Sequence, residues 1–360
     1  MKVYGVSVSY YTGKLEAYLR YKGLSYDMES PFAIARELKP KVGAIQVPLV
    51  LRDDGRYMSD STPIIAQLDA EHPESSVYPC DPVVRFIALL IEDYADEWLW
   101  RPAMHYRWSY EHDRALLSRI LADEVAGHVP APRWLLLRRI SRRQHKGFVL
   151  NDGVTAATRE HVESSYRAAL RVLGAMLRNR PFALGDAPSI ADFGLMGPML
   201  RHFGQDPTPA EIMRNEAPAV YAWVARVWNA RAATTPGALL DAVPHDAGAM
   251  LEEIGETHLV ALRANAEAYA RGEQKFALTV QGVRYVDLPV SRYRVYCLER
   301  LREAFAGLSE SERDQVRALL ATPAASVIWE AEPPAASGHD PERSAPFAKG
   351  INVFGDGVPR

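Results

Sequence analysis

Hydrophobic side chains recur every three or four positions over most of the segment from about 81 to 233. This spacing places them on one stripe of an α-helix, so it predicts a series of helices that pack together. Three stripes consist of Val83, Phe86, Ile87, Leu90, Ile91, Tyr94 and Trp98; of Val162, Tyr166, Leu170, Leu173 and Leu177; and of Val220, Trp223, Val224 and Val227. We therefore expect residues 81–233 to form an all-α helical bundle.

Residues 1–78 alternate extended and helical patterns instead. A β-type run from Val3 to Val8 precedes a helical stretch from about Thr12 to Lys22, which Gly23 is expected to end. The later pieces are an extended run at 25–29, a short helix from Pro31 to Leu38, two strands at 47–51 and 56–58 around a turn at 53–55, and a helix at 61–70. This order predicts a small α/β domain with a mixed sheet.

A third part, residues 249–331, contains both kinds of pattern. A helical stretch to about Arg271 is followed by two β-rich runs that flank Gln281-Gly282, which is typical of a hairpin. Two more helices are expected, from about Tyr293 and from Ser309. The fold class predicted for the whole chain is α+β.

The segment from Glu332 to Arg360 has a different composition. Nine of its 29 residues are Pro or Gly, which favours an extended or disordered tail. We therefore expect four regions: 1–78, 81–233, 249–331 and the tail 332–360.

Composition and charge narrow the class of protein. The net charge of −3 argues against a general nucleic-acid partner, and no apolar run approaches the ~20 residues that span a bilayer. The N-terminus lacks the long apolar region of a signal peptide. The two cysteines, Cys80 and Cys297, are too few for a disulfide framework or a cysteine zinc site. A reduced, cytoplasmic protein without a membrane partner is expected.

Three local motifs carry a family resemblance. Val47-Pro48 opens a strand, Asp60-Ser61 opens a helix, and Ser189-Ile190-Ala191-Asp192 has the spacing of an N-terminal capping box. With an α/β unit followed by a helical bundle, they resemble the glutathione S-transferase superfamily, whose first domain is thioredoxin-like. The resemblance covers about residues 1–233, and the region from 249 onward matches no part of the usual family core.

The resemblance implies a site for glutathione. Pro48 corresponds to a cis-proline, and Val47 before it would expose its backbone to the cysteinyl part of the tripeptide. Ser61, with free N–H groups at a helix start, would bind the γ-glutamyl carboxylate, and Asp60 would accept from the γ-glutamyl ammonium group. Gln46 stands where many members have a basic residue.

The reaction requires glutathione as a thiolate. A free thiol has a pKa of ~8.5, and lowering it by about two units corresponds to ~2.7 kcal/mol of thiolate stabilisation. A hydroxyl between the first strand and the first helix could supply much of this. Ser9 is our first choice, and Tyr10, Tyr11 and Thr12 are the alternatives. Ser9 could also simply cap the first helix.

Two functions follow from the resemblance. The first is an enzyme that transfers glutathione to a hydrophobic electrophile, or uses it for isomerisation or ether cleavage. The loop after the first strand contains no cysteine, so thiol transfer by a mixed disulfide is disfavoured. The alternative is a non-catalytic relative that binds ligands or a partner, because Val8 occupies the position expected for a catalytic tyrosine. Many relatives are homodimers, so a homodimer is expected.

Two further segments have open interpretations. Residues 92–108 hold five aromatic residues and four carboxylates, which could line a pocket for the second substrate or pack in the core. Asp93, Glu97 and His105 lack the paired spacing of a metal site, so no metal is expected. Arg133 to Lys146 carries six basic and no acidic residues, which is typical of a solvated helix face or, less so, of an anion-binding rim or a nucleic-acid contact.

Overall fold

The opening domain is built on a four-stranded mixed sheet. In the computed structural model, which describes residues 1–235 and 237–350, the strands are β1 (Lys2–Tyr4), β2 (Asp27–Glu29), β3 (Leu49–Leu51) and β4 (Tyr57–Ser59). Their order across the sheet is β2-β1-β3-β4. β1 pairs in parallel with β2 and antiparallel with β3, and β3 pairs antiparallel with β4.

Three helices complete this domain: α1 (Tyr10–Lys22), α2 (Ala35–Val42) and α3 (Ser61–Glu71). Ser9 caps α1, since its side chain accepts from the Thr12 amide. Gly23 ends α1 with φ at 70°, as predicted, because glycine adopts the left-handed conformation without a Cβ penalty.

Two predicted boundaries in this domain are wrong. β1 stops at Tyr4 because the chain turns after Gly5, where the Ser9 amide donates to the Val6 carbonyl to form the entry into α1. The helix expected to end at Leu38 instead runs from Ala35 to Val42 and contains Pro40. Leu38 and Val42 are buried in a small cluster of their own, and this burial offsets the hydrogen bond that a proline removes.

The predicted bundle is present and entirely helical. Its helices are α4 (Pro82–Glu97), α5 (Trp100–Ser109), α6 (Glu111–Ala126), α7 (Arg133–His145), α8 (Arg159–Met176), α9 (Ile190–Pro198), α10 (Pro207–Glu216) and α11 (Pro218–Asn229). α9 lies at its centre and packs against both α4 and α1. The bundle and the opening domain therefore share one hydrophobic core.

The capping box at the start of α9 is formed. Asp192 accepts from the Ser189 amide at 2.9 Å, and its other oxygen accepts from the Ala183 amide and from the Trp223 indole N–H. Burial raises the pKa of Asp192, although these donors favour the charged form. The motif therefore joins α9 to α11 in addition to starting the helix.

The third part contains the predicted hairpin and four helices: α12 (Gly248–Glu256), α13 (His258–Ala270), β5 (Lys275–Val280), β6 (Val283–Pro289), α14 (Arg292–Ala306) and α15 (Glu310–Leu319). Gln281 and Gly282 both have positive φ, as a two-residue hairpin turn requires. The single helix expected up to Arg271 is broken at Thr257, whose hydroxyl donates to the Glu253 carbonyl. The chain thus contains a four-stranded sheet, a separate two-stranded hairpin and many helices, which confirms the α+β class.

The third part does not stand apart from the first two. α14 and α15 pack against α4, and residues 337–350 return to the opening domain, where Phe347 pairs with Ser59 at the edge of β4. The prediction for the tail falls partly outside the described residues, since 351–360 are not among them. Within the described chain, no helix is long and apolar enough to cross a membrane.

Candidate functional site

The segments predicted to bind glutathione lie at one end of the strands of the four-stranded sheet. Tyr4 of β1 lies opposite Leu49 of β3, and Leu49 lies opposite Ser59 of β4. The loop after β1, the peptide before β3 and the helix after β4 therefore all lie at this end of the strands. The register therefore places at the same end of the sheet the segments that carry Ser9, Val47-Pro48 and Asp60-Ser61, which are separated by up to 52 residues in sequence.

The Val47-Pro48 peptide bond is cis. Pro48 is buried, whereas Gln46 and Val47 are half-buried and lie just before the strand. Pro48 lies outside the paired register of β3, so its missing N–H does not interrupt the ladder. This geometry agrees with the expectation for the position.

Asp60 is held between two partners at the start of α3. Its backbone has φ at 78°, one carboxylate oxygen accepts from the Thr62 amide, and the other accepts from the Tyr293 hydroxyl at 2.8 Å. Burial raises the pKa of Asp60 to about 6, and the hydrogen bond from Tyr293 opposes the rise. Ser61, the next residue, is buried at the first position of the helix.

The raised pKa of Asp60 makes a testable prediction about stability. Between about pH 4 and pH 6 the folded chain holds the Asp60 proton and the unfolded chain has lost it, so stability falls as the pH rises through this window. Wild type should lose roughly 2–3 kcal/mol of unfolding free energy relative to Asp60→Asn over that range. Urea denaturation of both proteins at several pH values measures the difference, and a difference that does not change with pH would contradict it.

Ser9 is a candidate thiolate donor whose hydroxyl hydrogen is not used within the described chain. It is half-buried, and its oxygen accepts from the Thr12 amide at 3.4 Å. Within the described part of the chain, the Ser9 hydroxyl donates to no acceptor. Its hydrogen is therefore available to a ligand while its oxygen caps α1.

The two tyrosines after Ser9 are committed to α4. The Tyr10 hydroxyl donates to the Ala95 carbonyl, and the Tyr11 hydroxyl donates to the Asp96 carbonyl at 3.0 Å. Burial raises the pKa of both phenols well above the ordinary value. Tyr10 is a core residue, whereas Tyr11 is partly exposed and stacks on Trp100 with ring centroids 5.8 Å apart.

Thr12 lies at a cavity that does not include the other predicted site residues. Its side chain is fully buried, and its hydroxyl, which has no partner among the described residues, lines a cavity of about 260 Å³. Glu16, Glu124 and Arg201 line the same cavity, and neither Pro48 nor Asp60 does. The structure thus separates Thr12 from the other three hydroxyl candidates.

A buried ionic cluster fixes α1 against the bundle beside the site. The Lys14 ammonium group is fully buried and donates to Glu92, to Asp96 and to the Thr62 hydroxyl. Burial lowers the pKa of Lys14, but the charges of Asp96 and Glu92 outweigh that effect and raise it. Burial likewise raises the pKa of Asp96 well above its usual value although Lys14 lies beside it.

A second buried cation holds the loop that carries Ser9. Arg107 makes a two-pronged contact with Asp206, at 2.8 and 2.9 Å, and donates to the Val8 carbonyl at 2.7 Å. A third contact goes to the Arg201 carbonyl. Burial raises the pKa of Asp206 to about 6, and Arg107 opposes the rise. Val8 is thus fixed in place by a side chain of α5.

The aromatic segment 92–108 mostly forms core and not a pocket. Tyr94, Trp98, Tyr106 and Trp108 are buried, and Trp100 is the partly exposed member. The acidic residues of this segment also have protein partners: Asp93 contacts His258 and Glu97 contacts Arg294. Among the described residues, no group of three or more potential ligands could hold a metal ion.

The basic segment lies on the exposed side of α7. Trp134 is 65% exposed, and Arg138, Arg139 and Arg142 are exposed on the same helix. This agrees with a solvated helix face, while the anion-binding and nucleic-acid interpretations stay predictions.

Sequence reasoning missed the buried cations and the contacts from the third part. Lys14 carried a signal, because it falls on the stripe formed by Tyr10 and Tyr18, where a lysine needs a buried acidic partner. No local signal pointed to Tyr293, which is 233 residues from Asp60.

Two family models match the chain. Residues 3–76 match the N-terminal domain of glutathione S-transferase, and residues 142–226 match its C-terminal domain. The chain therefore contains an N-terminal and a C-terminal glutathione S-transferase domain, and a third part lies beyond them.

Several solved structures are similar to this chain over about two thirds of its length. The beta-etherase LigF from Sphingobium sp. strain SYK-6 is 20% identical, with 63% of this chain and 93% of that chain covered and a TM-score of 0.44. A glutathione S-transferase from Pseudomonas fluorescens Pf-5 is 19% identical, with coverages of 62% and 92% and a TM-score of 0.36. One from Methylobacterium radiotolerans JCM 2831, in complex with glutathione sulfonate, is 18% identical, with coverages of 68% and 97% and a TM-score of 0.39. No curated protein matches the chain.

Proposed function

We propose that this protein binds glutathione at the end of the opening sheet where β1 and β4 end and β3 begins, and that it activates the glutathione thiol for attack on a hydrophobic electrophile. Residues 1–78 would form the glutathione-binding domain, 81–233 the helical domain and 249–331 an additional domain. Support for the proposal comes from the location of Ser9, the cis Val47-Pro48 peptide and Asp60-Ser61 at one end of the opening sheet, in a chain that contains both glutathione S-transferase domains.

Each of these residues has a role in the proposal. The Val47 backbone pairs with the cysteinyl residue, beside Gln46, and Asp60 accepts from the γ-glutamyl ammonium group. The Ser61 hydroxyl and the start of α3 bind the γ-glutamyl carboxylate, since N–H groups at a helix start attract anions. Ser9 donates its hydroxyl hydrogen to the sulfur, which favours the thiolate.

The second substrate would lie against the Tyr11–Trp100 stack. These rings are partly exposed, and Tyr11 is only two residues from Ser9, so they offer an apolar wall beside the proposed thiolate. Addition, substitution, isomerisation and ether cleavage all fit a thiolate at this position. We further propose a homodimer in a reducing compartment such as the cytoplasm, which suits the two free cysteines.

Replacing Ser9 should raise the pKa of bound glutathione. Without the hydroxyl donor, we expect a rise of about one unit or more, and hence roughly tenfold less thiolate at neutral pH. The ultraviolet absorbance of the thiolate, followed against pH at millimolar glutathione, measures this pKa.

Matched variants separate this role from helix capping. Ser9→Gly removes the hydroxyl at a capping cost of only a few tenths of a kcal/mol, and Ser9→Thr keeps both the hydroxyl and the cap. Tyr11→Phe serves as the control, because the Tyr11 hydroxyl already donates to Asp96. An unchanged thiol pKa in Ser9→Gly would remove Ser9 from the mechanism, and absence of binding in every variant would reject the glutathione site.

A further inference from the structure

The segment 337–350 runs from the third part back to the proposed glutathione site. At its start, the Ser337 amide and hydroxyl donate to Glu299, and the Ser337 carbonyl accepts from Arg292 at 2.8 Å. His339 packs against the ring of Tyr293 at 5.4 Å. This segment and the beginning of α14 therefore form one unit, which we call the cover: Tyr293 together with residues 337–350.

The cover meets the sheet at the residue before Asp60. The Phe347 carbonyl accepts from the Ser59 amide at 2.9 Å and from the Ser59 hydroxyl at 3.0 Å. The Phe347 side chain is buried, and its ring lies near those of Tyr296 and His339. Ser59 belongs to an edge strand, whose free backbone groups are open to another extended chain.

Three residues later, the cover reaches the segment that leads to Val47. The Gly350 amide donates to the Val42 carbonyl at 2.8 Å, and the Ala44 amide donates to the Gly350 carbonyl at 3.4 Å. Gly350 fits closely here, because a Cβ on it would lie 2.4 Å from the Ala44 carbonyl oxygen.

Tyr293 provides the third contact of the cover. Its hydroxyl donates to Asp60, the carboxylate that we propose accepts from the γ-glutamyl ammonium group. Arg294, the next residue, pairs with Glu97 at 3.0 Å and so fixes this end of α14 against α4. The Tyr293 hydroxyl therefore already occupies the carboxylate oxygen of Asp60 that the Thr62 amide leaves free, and an ammonium group would have to share that oxygen or replace Tyr293.

The cover spans an interval close to the length of the tripeptide. Residues 347–350 are three residue steps, which reach about 10 Å when extended. They begin beside Asp60-Ser61, which we propose binds the γ-glutamyl residue, and end beside the segment before Gln46-Val47, which we propose pairs with the cysteinyl residue. A short peptide such as glutathione and this part of the chain would therefore compete for one groove.

We propose that the cover closes the glutathione site and that its residues 347–350 must move aside before glutathione binds, an inference that rests on the proposed function. The contacts to residues 42–44 and 59 are few, and residues 341–344 between α14 and Phe347 are exposed. Such a segment opens more readily than a core helix. The closed state reduces apparent affinity by the fraction of molecules that are open.

The test compares glutathione binding by full-length variants. Gly350→Val places a side chain against the Ala44 carbonyl and should release the end of the cover, and Tyr293→Phe removes the contact with Asp60. We expect both to bind reduced glutathione roughly tenfold more tightly than wild type in calorimetry. Lys349→Ala is the matched control. Lys349 is exposed, so this variant should bind glutathione with the wild-type affinity.

The outcomes distinguish the cover from the site. Equal affinity of wild type and both variants would overturn the cover and leave the proposed function intact, and weaker binding by Tyr293→Phe would make Tyr293 a ligand contact instead. No binding by any folded variant would reject both. Hydrogen exchange gives an independent reading that needs no variant: glutathione should speed exchange of the Gly350 amide, and slower exchange would contradict displacement.

Discussion

Replacing Lys14 by Met should lower the free energy of unfolding by about 3–5 kcal/mol. The substitution keeps most of the side-chain volume but removes the charge between Glu92 and Asp96, both of which are buried. Each carboxylate would then have to take up a proton or draw water into the core. Chemical denaturation monitored by circular dichroism measures the loss.

Two comparisons make this prediction specific. Lys39→Met, at an exposed lysine in the last turn of α2, should change stability by no more than about 0.5 kcal/mol. Adding Asp96→Asn to Lys14→Met should restore part of the loss, because one of the unpaired charges disappears. A loss below about 1 kcal/mol in Lys14→Met would show that the cluster is solvated and not buried.

Replacing Arg107 by Met should cost a similar amount, about 3–5 kcal/mol. Asp206 would lose both contacts with the guanidinium group, and the Val8 carbonyl would lose a buried donor. Because Val8 precedes Ser9, the loop that carries the proposed thiolate donor should also become more mobile. Denaturation gives the energy, and hydrogen exchange of the amides around Ser9 gives the mobility.

Arg107→Lys and Arg119→Met complete this experiment. Lysine keeps the charge but cannot reproduce the planar two-pronged contact, so we expect a loss between those of wild type and Arg107→Met. Arg119 is exposed on the neighbouring α6, so its replacement should have almost no effect. If the amides around Ser9 exchange hydrogen in Arg107→Met at the wild-type rate, Arg107 does not order this loop, and the second half of the prediction is wrong.

Features set by neighbouring residues could be predicted from the sequence. Gly23 as the end of α1, the Gln281-Gly282 turn and the Ser189–Asp192 capping box each depend on two to four adjacent residues. Helical stripes gave the bundle for the same reason. Errors occurred where packing outweighed local preference, as in α2, which continues past Pro40 because Val42 is buried.

In the candidate site too, features set by neighbouring residues could be predicted and contacts between distant residues could not. The cis peptide before Pro48 and the start of α3 at Asp60-Ser61 agree with expectations from short motifs. The partner of Asp60 could not be predicted, because Tyr293 reaches it only when the third part docks on the first. The sequence favoured Ser9 over Tyr10, Tyr11 and Thr12 without indicating what each hydroxyl contacts, and the structure distinguishes the four by those contacts.

The packing of α14 and α15 on α4 bears on how two copies of this chain can associate. In α4, which the structure describes completely, Pro82 and Arg85 are the exposed residues, and the apolar side chains are buried or nearly so within a single chain. Subunit contacts that persist usually bury apolar area on both sides. The surface of α4 has none left to offer because α14 and α15 of the same chain cover it, so a homodimer would have to be assembled through another face.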